Sequence, residues 1–227
     1  MILRKFVVSF LALSVVFASI FVMVFGHPFT ARAATCSITT TSAIDQAYID
    51  TNDCGVINIS GTITITWSGT TDLVGSGSVN VTSGTVTFSG AMVLGSTDDL
   101  TISGGAFVTH AQGNTIGVNL TARNVTVTGT IDGNAKGCQG GASTADGYGP
   151  NTSTGICAIT TSGYGPGGSG SFGRGAAHGG PGGNSADSGA GSTVTYDSTT
   201  APTLLGSGGG GSSGYTGGNG GGKVTMN

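Results

Sequence analysis

The chain has 227 residues, of which 45 are glycine and only 7% are charged, and it contains no glutamate. Such a composition excludes a helical bundle and an ordinary α/β domain. The net charge is −3, and it becomes −6 without the first 33 residues, which hold three of the seven basic side chains. Because the other four are scattered along the chain, we expect no nucleic-acid partner.

The N-terminal segment has the pattern of a signal peptide. Arg4 and Lys5 precede an apolar run from Phe6 to Phe25, and the small residues of Ala31-Arg32-Ala33 suit cleavage. We therefore expect residues 1–33 to direct export, and the protein to be secreted or held at the cell surface. The apolar run is also long enough to span a bilayer, so an uncleaved anchor is the alternative and the one membrane contact that we expect.

Four cysteines in an exported chain favour disulfide bonds. Four cysteines allow three pairings, and we favour the local one, Cys36 with Cys54 and Cys138 with Cys157. Each bond would close a loop of about twenty residues and contribute about 3 kcal/mol by restricting the unfolded chain. A zinc site is the alternative, but the sequence has no C-x-x-C pair.

One short amphipathic segment precedes the strands. Ser42 can cap a helix with Asp45 three positions on, and four residues then fall on one face: Ala43, Ile44, Ala47 and Tyr48. This pattern predicts a helix over Ser42 to Ile49. We expect it to cover the open end of a strand region and so to block strand addition there.

Short β-branched strands then recur with a period near 21 residues. The first strands of successive repeats begin at Ile57, Val79, Leu100 and Leu120. The second strands are Thr62 to Trp67, Thr85 to Phe88, Ala106 to Val108 and Val125 to Thr128. A fixed period with two or three short strands per repeat predicts an all-β solenoid, a parallel β-helix from about Cys54 to Asp132. A β-sandwich is the alternative fold.

The composition changes after Asp132. Residues 133–227 include 31 glycines, and Gly-Tyr-Gly-Pro occurs at 147–150 and at 163–166. Residues 133–222 are either a flexible linker or a set of extended, polyproline-II-like strands that glycine allows to approach closely. From Lys223 to Asn227 an alternating strand resumes, and we expect the sequence to be part of a longer protein.

The candidate catalytic residues are few and dispersed. A hydrolase of the β-helix class needs paired carboxylates, and Asp98-Asp99 is the one adjacent acidic pair. His178-Gly179 lies far along the chain, and the two aspartates would point to opposite faces of a strand. We therefore interpret Asp98 and Asp99 as solvated turn residues.

Two further sets of polar residues have equally simple explanations. Arg123 with Asp132 and Lys136 could mimic a lyase base beside Ca²⁺ ligands, but the three are isolated, and Asp132-Gly133-Asn134 is typical of a turn. His110 has no second ligand at a metal-binding spacing, so we expect it to be a surface or loop imidazole. The sequence thus predicts no catalytic residue, no metal site and no cofactor.

Two stretches resemble known proteins. Cys54-Gly55-Val56-Ile57-Asn58-Ile59-Ser60-Gly61-Thr62, after its helix, resembles the N-terminal coil of pectin-lyase-like right-handed β-helices. Val125 to Gly137, which leads into the Gly-Tyr-Gly-Pro repeats, is similar to Gly-rich surface proteins of bacteria. The resemblance implies a right-handed β-helix, a Gly-rich excursion and a place on the cell surface.

Export, repetition and the lack of a clustered site favour a non-enzymatic structural or adhesin-like protein. Its expected partners are cell-surface glycans or other envelope proteins. The alternatives are a carbohydrate-active lyase or hydrolase and an ice-binding protein, the latter because Thr-x-Thr steps such as Thr62 to Thr66 recur along the strands.

Overall fold

The computed structural model describes residues 33–151, 153–159, 167, 172–178, 181–184, 191–198 and 200–227. The predicted signal peptide, apart from Ala33, and the second Gly-Tyr-Gly-Pro motif lie outside these residues. The described elements are, in chain order, β1 (Ala34–Ile38), β2 (Ser42–Ile44), α1 (Gln46–Asn52), β3 (Cys54–Ser60), β4 (Ile63–Trp67), β5 (Thr70–Thr71), β6 (Ser78–Phe88), β7 (Met92–Leu94), β8 (Asp99–Ile102), β9 (Ala106–His110), β10 (Val118–Thr121), β11 (Asn124–Val127), β12 (Thr130–Asp132), β13 (Tyr148–Pro150), β14 (Cys157–Ile159) and β15 (Val224–Met226).

The strands form a parallel β-solenoid of about four turns with three sides. Side one consists of β1, β3, the first half of β6, β8 and β11, and side two of β2, β4, the second half of β6, β9 and β12. Side three consists of β5, β7, β10 and β15. Every pairing within these sides is parallel, which confirms the predicted solenoid and excludes the antiparallel sandwich. We call β1, β2 and α1 the first layer, and β11, β12 and β15 the last layer.

The register follows the predicted repeat for three layers and then departs from it. Ile57 pairs with Val79 and Val79 with Leu100, as the sequence period predicts. The next partner of Leu100 is Val125, whereas Leu120 pairs with Met92 on side three. The assignment of Leu120 to the first series and of Val125 to the second was therefore wrong. The connection from side two to side three is longer between β9 and β10 than in the earlier layers, where it joins β4 to β5 and β6 to β7. The next strand on side one therefore begins later in the sequence than the period predicts.

The helix begins later than predicted. Ser42 lies in β2, and Asp45 is the residue that caps α1, since its carboxylate accepts a 2.9 Å hydrogen bond from the Tyr48 N–H. The Gln46 side-chain amide both accepts from the Asp72 N–H (2.7 Å) and donates to the Asp72 carbonyl (3.0 Å). α1 thus forms side three of the first layer, packed against β2 and β5.

Apolar side chains fill the space between the three sides. Inward positions repeat from layer to layer, as in the column Ile59, Val81 and Ile102, each fully buried. Single coils could not bury these side chains, so the stack is cooperative. A second column on side two runs Ile65, Phe88 and His110.

The described part of the Gly-rich segment is held together by backbone hydrogen bonds. The donors recur every three residues. The N–H groups of Cys138 and Gly141 donate to the carbonyls of Gly206 and Gly209 (both 2.8 Å), and the N–H groups of Gly206 and Gly209 donate in turn to the carbonyls of Gly221 and Gly218 (both 2.9 Å). Most glycines here have no room for a side chain. A Cβ on Gly140, for example, would lie 1.9 Å from the Gly217 carbonyl oxygen. These backbones pack directly on one another.

Both favoured disulfide bonds are present. Cys36–Cys54 joins β1 to β3, and Cys138–Cys157 ties the start of the Gly-rich segment to β14. Two such bonds are typical of proteins that fold in an oxidising, extracellular environment. Within the described residues, no helix has the length and apolar character needed to cross a membrane.

Candidate functional site

The side chain of Asp98 points into the solenoid, whereas that of the adjacent Asp99 points out of it. Asp98 is fully buried, and its carboxylate accepts hydrogen bonds from the Leu73 N–H (2.9 Å) and the Gly77 N–H (2.8 Å). Asp99 begins β8 and points outward. The two do point apart as predicted, but the interpretation of Asp98 as a solvated residue was wrong. Its carboxylate fixes the bend between sides three and one, and it cannot act jointly with Asp99.

The outward carboxylate belongs to a small polar cluster on side one. The Arg123 guanidinium donates two hydrogen bonds to Asp99, of 2.9 and 2.7 Å, and Asn124 Nδ2 donates a third of 2.9 Å. These contacts lower the pKa of Asp99, the Arg123 bonds most, while Asp99 raises the pKa of Arg123. Arg123 is therefore a fixed cation, opposite in character to the neutral base that a lyase needs.

His110 is buried, and its prediction as a surface or loop imidazole was wrong. Its Nδ1 lies 2.9 Å from the Ala111 carbonyl, and its Nε2 accepts from the Lys223 N–H at 3.3 Å. Burial lowers the pKa of His110 most, and the charges of Lys136 and Lys223 lower it further, whereas the hydrogen bond to the Ala111 carbonyl raises it. The strand alternation carried the signal for this burial, because Ala106 and Val108 face inward and His110 continues their phase.

Asp132 and Lys136 form hydrogen bonds in and next to the turn that follows β12. Asp132 Oδ1 accepts a 2.8 Å hydrogen bond from the Asn134 N–H, which confirms the predicted turn. The backbone carbonyl of Lys136 accepts from the Gly113 N–H at 2.9 Å. Arg123 makes its hydrogen bonds to Asp99 on side one, so the structure gives no contact that joins the three residues of the lyase hypothesis.

Sequence reasoning missed a polar cluster around Asp197. This carboxylate accepts hydrogen bonds from the backbone of Ser198, Thr203 and Leu204 and from the Thr203 hydroxyl, all between 2.7 and 3.0 Å. Burial alone would raise the pKa of Asp197, but these hydrogen bonds lower it to about 2. Asp197 thus fixes the loop of residues 197–205.

A histidine and a tyrosine complete this cluster. His178 Nε2 lies 3.4 Å from Asp197 Oδ2 without forming a well-directed hydrogen bond. The His178 and Tyr196 rings pack in a T-shaped arrangement with their centroids 4.6 Å apart. The buried Tyr196 hydroxyl lies 2.8 Å from both the Leu205 carbonyl and the Ser207 hydroxyl. Burial raises the pKa of Tyr196. The phenol is thus an anchor for the 197–205 loop.

Three open cavities of about 260, 370 and 410 Å³ adjoin the 197–205 loop. Lys223 lines all three, and His178 also lines the smallest. No described carboxylate lines any of them, so none pairs an acid with a base. Elsewhere in the described residues, no group of three histidine, cysteine, aspartate or glutamate side chains is arranged to hold a metal ion.

The outer surface of the solenoid is polar and follows the strand register. On side one, Asn58 and Asn80 are joined by a 3.1 Å hydrogen bond, and the row continues through Thr101 and Thr126. Side two carries a row of a different kind, in which the half-exposed ring of Phe107 lies between Thr85 and Thr130. Phe107 interrupts this row, but beside it Thr64, Thr87 and Thr109 form a row that continues over three layers and ends at Asp132.

No family model, no curated protein and no solved structure matches the chain.

Proposed function

We propose that this protein is a non-enzymatic structural or adhesin-like protein that is exported through its N-terminal segment and works outside the cell. Its solenoid is a right-handed parallel β-helix with coils of about 21 residues, as in the pectin-lyase-like proteins that it resembles. Its function is to display a rigid, polar, repetitive surface to glycans or to other envelope proteins, in the manner of Gly-rich bacterial surface proteins.

The use of the carboxylates is the observation that carries the proposal. Asp45 caps a helix, Asp98 holds a buried bend, Asp99 is paired with Arg123, and Asp197 fixes a loop. Glycoside hydrolysis needs two carboxylates that face one substrate. These four aspartates are instead bound to the protein itself and lie at different places along the chain.

The exposed Phe107 is the residue that we expect to contact a glycan. An aromatic ring offers a flat apolar surface at low entropic cost, and the neighbouring Thr85 and Thr130 offer hydroxyl groups. The C–H face of a sugar ring can stack on such a ring while its hydroxyls bond to the threonines. Side two is therefore the proposed contact surface.

The test is to incubate the purified protein with immobilised pectins and related polysaccharides, and to measure both retention and release of products. We expect retention without turnover, reduced at least tenfold by Phe107→Ala and largely restored by Phe107→Tyr. Phe172→Ala, which removes a comparably exposed ring from the Gly-rich segment, is the control and leaves retention unchanged. Turnover that Asp99→Ala or Arg123→Ala abolishes would refute the proposal.

A further inference from the structure

One of the three cavities beside the 197–205 loop has mostly polar walls, and we call it the polar cavity. Its volume is about 370 Å³, which is the size of a small-ligand site rather than of a single ion. Thr115, from the connection between β9 and β10, forms one wall, and Asn151 and Ser153, from the turn after β13, form a second. Lys223 and the 197–205 loop complete it. No residue of β15 or of side two belongs to these walls.

The walls of the polar cavity are fixed by their own hydrogen bonds. Asn151 Oδ1 accepts from the Ser153 N–H at 2.8 Å, which holds the turn after β13. Asp197 fixes the loop that forms the third wall. Lys223 is held through its backbone, because its carbonyl accepts from the Val118 N–H at 2.9 Å. A site whose walls are already ordered loses little entropy when a ligand binds.

The polar cavity offers hydrogen-bond donors and one positive charge. Lys223 forms no ion pair with a described residue. Within the same part of the chain, the hydroxyls of Thr115 and Ser153 and the side-chain nitrogen of Asn151 have no hydrogen-bond partner, and no carboxylate lines the cavity. One cation and three neutral donors thus surround the space, and this arrangement suits an anion.

The charge and the placement of these donors favour a sulfate ester over other anions. One lysine balances one negative charge, whereas a phosphate monoester carries about −1.5 to −2 at neutral pH. A carboxylate also carries one charge, but its two oxygens lie in one plane. The three terminal oxygens of a sulfate ester point in three directions, and they can meet donors from the separate walls that hold Thr115, Ser153 and Lys223.

We propose that the polar cavity binds the sulfate monoester group of a small hydroxylated molecule such as a sugar. Lys223 neutralises the sulfate, and the hydroxyls of Thr115 and Ser153 donate to its oxygens. Leu204, which also lines the cavity, contacts the carbon atoms of the ligand. This binding activity goes beyond the display function, because the cavity is separate from Phe107 on side two and takes a free small molecule.

The test is isothermal titration calorimetry of the exported protein, with both disulfide bonds formed, against glucose 6-sulfate. Glucose, glucose 6-phosphate and glucuronate are the comparison ligands, because they keep the sugar and change the anionic group. We expect glucose 6-sulfate to bind about tenfold more tightly than each of them. Its affinity should fall at high salt, since salt screens the attraction to Lys223. Absence of binding, or equal or tighter binding of any comparison ligand, would overturn the proposal.

Variants locate the site. Lys223→Gln removes the charge but keeps the backbone bonds of this residue, so it should weaken the binding of glucose 6-sulfate about tenfold, and Ser153→Ala should weaken it about threefold. Lys136→Gln is the matched control, since Lys136 lines none of the three cavities. Far-UV circular dichroism verifies that each variant is folded. Equal binding by folded Lys223→Gln and Lys136→Gln would also overturn the proposal. Phe107→Ala should bind glucose 6-sulfate like the wild type, which separates a failure of this site from a failure of the display function.

Discussion

His110 Nε2 accepts a hydrogen bond from the backbone N–H of Lys223, which lies 113 positions further along the chain. An imidazole can accept in this way only when Nε2 carries no proton. The bond therefore joins the inside of β9 to the start of β15 only while His110 is neutral.

This dependence predicts that stability falls in mild acid. Burial lowers the pKa of His110 in the folded protein, so below its ordinary value of 6.5 the unfolded chain takes up a proton first. The contribution of neutral His110 is complete above pH 6.5 and is lost as the pH falls towards the lowered pKa. Urea unfolding between pH 5 and 7.5 measures the effect. His110→Gln should flatten the pH dependence, and an unchanged slope in this variant would contradict the prediction.

The adjacent aspartates should differ sharply in their effect on stability. Asp98→Ala leaves the buried N–H groups of Leu73 and Gly77 without an acceptor, which costs roughly 2–4 kcal/mol of unfolding free energy. Asp99→Ala removes only exposed contacts, namely the ion pair with Arg123 and the hydrogen bond from Asn124, so the melting temperature should barely change. Denaturant unfolding of both variants makes the comparison. Equal losses would show that Asp98 does not hold the bend.

Two neighbouring glycines provide a test of the close backbone packing. A Cβ at Gly217 would lie 2.1 Å from the Gly209 carbonyl oxygen, whereas one at Gly218 would meet nothing within 4 Å. Gly217→Ala should therefore destabilise the protein by about 1–3 kcal/mol. Gly218→Ala should be neutral or stabilise by about 0.4–1 kcal/mol, because it restricts the unfolded chain. Thermal unfolding decides between this result and a flexible linker, in which both changes would be harmless.

Each disulfide bond should stabilise the protein separately. The bonds join residues 18 and 19 positions apart, so each loop closure contributes about 3 kcal/mol. Replacing Cys36 and Cys54 together by serine should lower the unfolding free energy by this amount, and replacing Cys138 and Cys157 should do likewise. Non-reducing peptide mapping of the wild type provides the control. A peptide joining Cys36 to Cys138 would contradict both expectations.

The period of apolar residues predicts the solenoid but not the side on which every strand lies. Leu100-Thr101 and Leu120-Thr121 read alike, yet one pair lies on side one and the other on side three. Local alternation fixes which side chains face inward, and it would have placed His110 in the interior. The alternation does not show how many residues each corner between two sides contains. Because the connection before β10 is long, the strands that follow it lie on other sides than the sequence period predicts.

The polar contacts were harder to predict for a different reason. The burial of Asp98 depends on the Leu73 and Gly77 N–H groups, which belong to a bend in another layer. In the Gly-rich segment, glycine has no side chain to distinguish one partner from another, so backbone pairs such as Gly209 with Gly218 have no signature in the sequence. The Asp197 cluster likewise joins residues that no known motif connects.

The pairing of Val118 with Val224 has a consequence for the order in which the molecule forms. Most neighbours in the solenoid are separated by one coil, so their contacts can form as the chain emerges during synthesis. β10 cannot pair with β15 until more than a hundred further residues have been synthesised and the Gly-rich backbones have come together. Closing so long a loop costs entropy before any contact compensates for it, and topologies of this kind fold slowly. We therefore expect the early coils to fold first, and side three of the last layer to be completed in a separate, later and slower step.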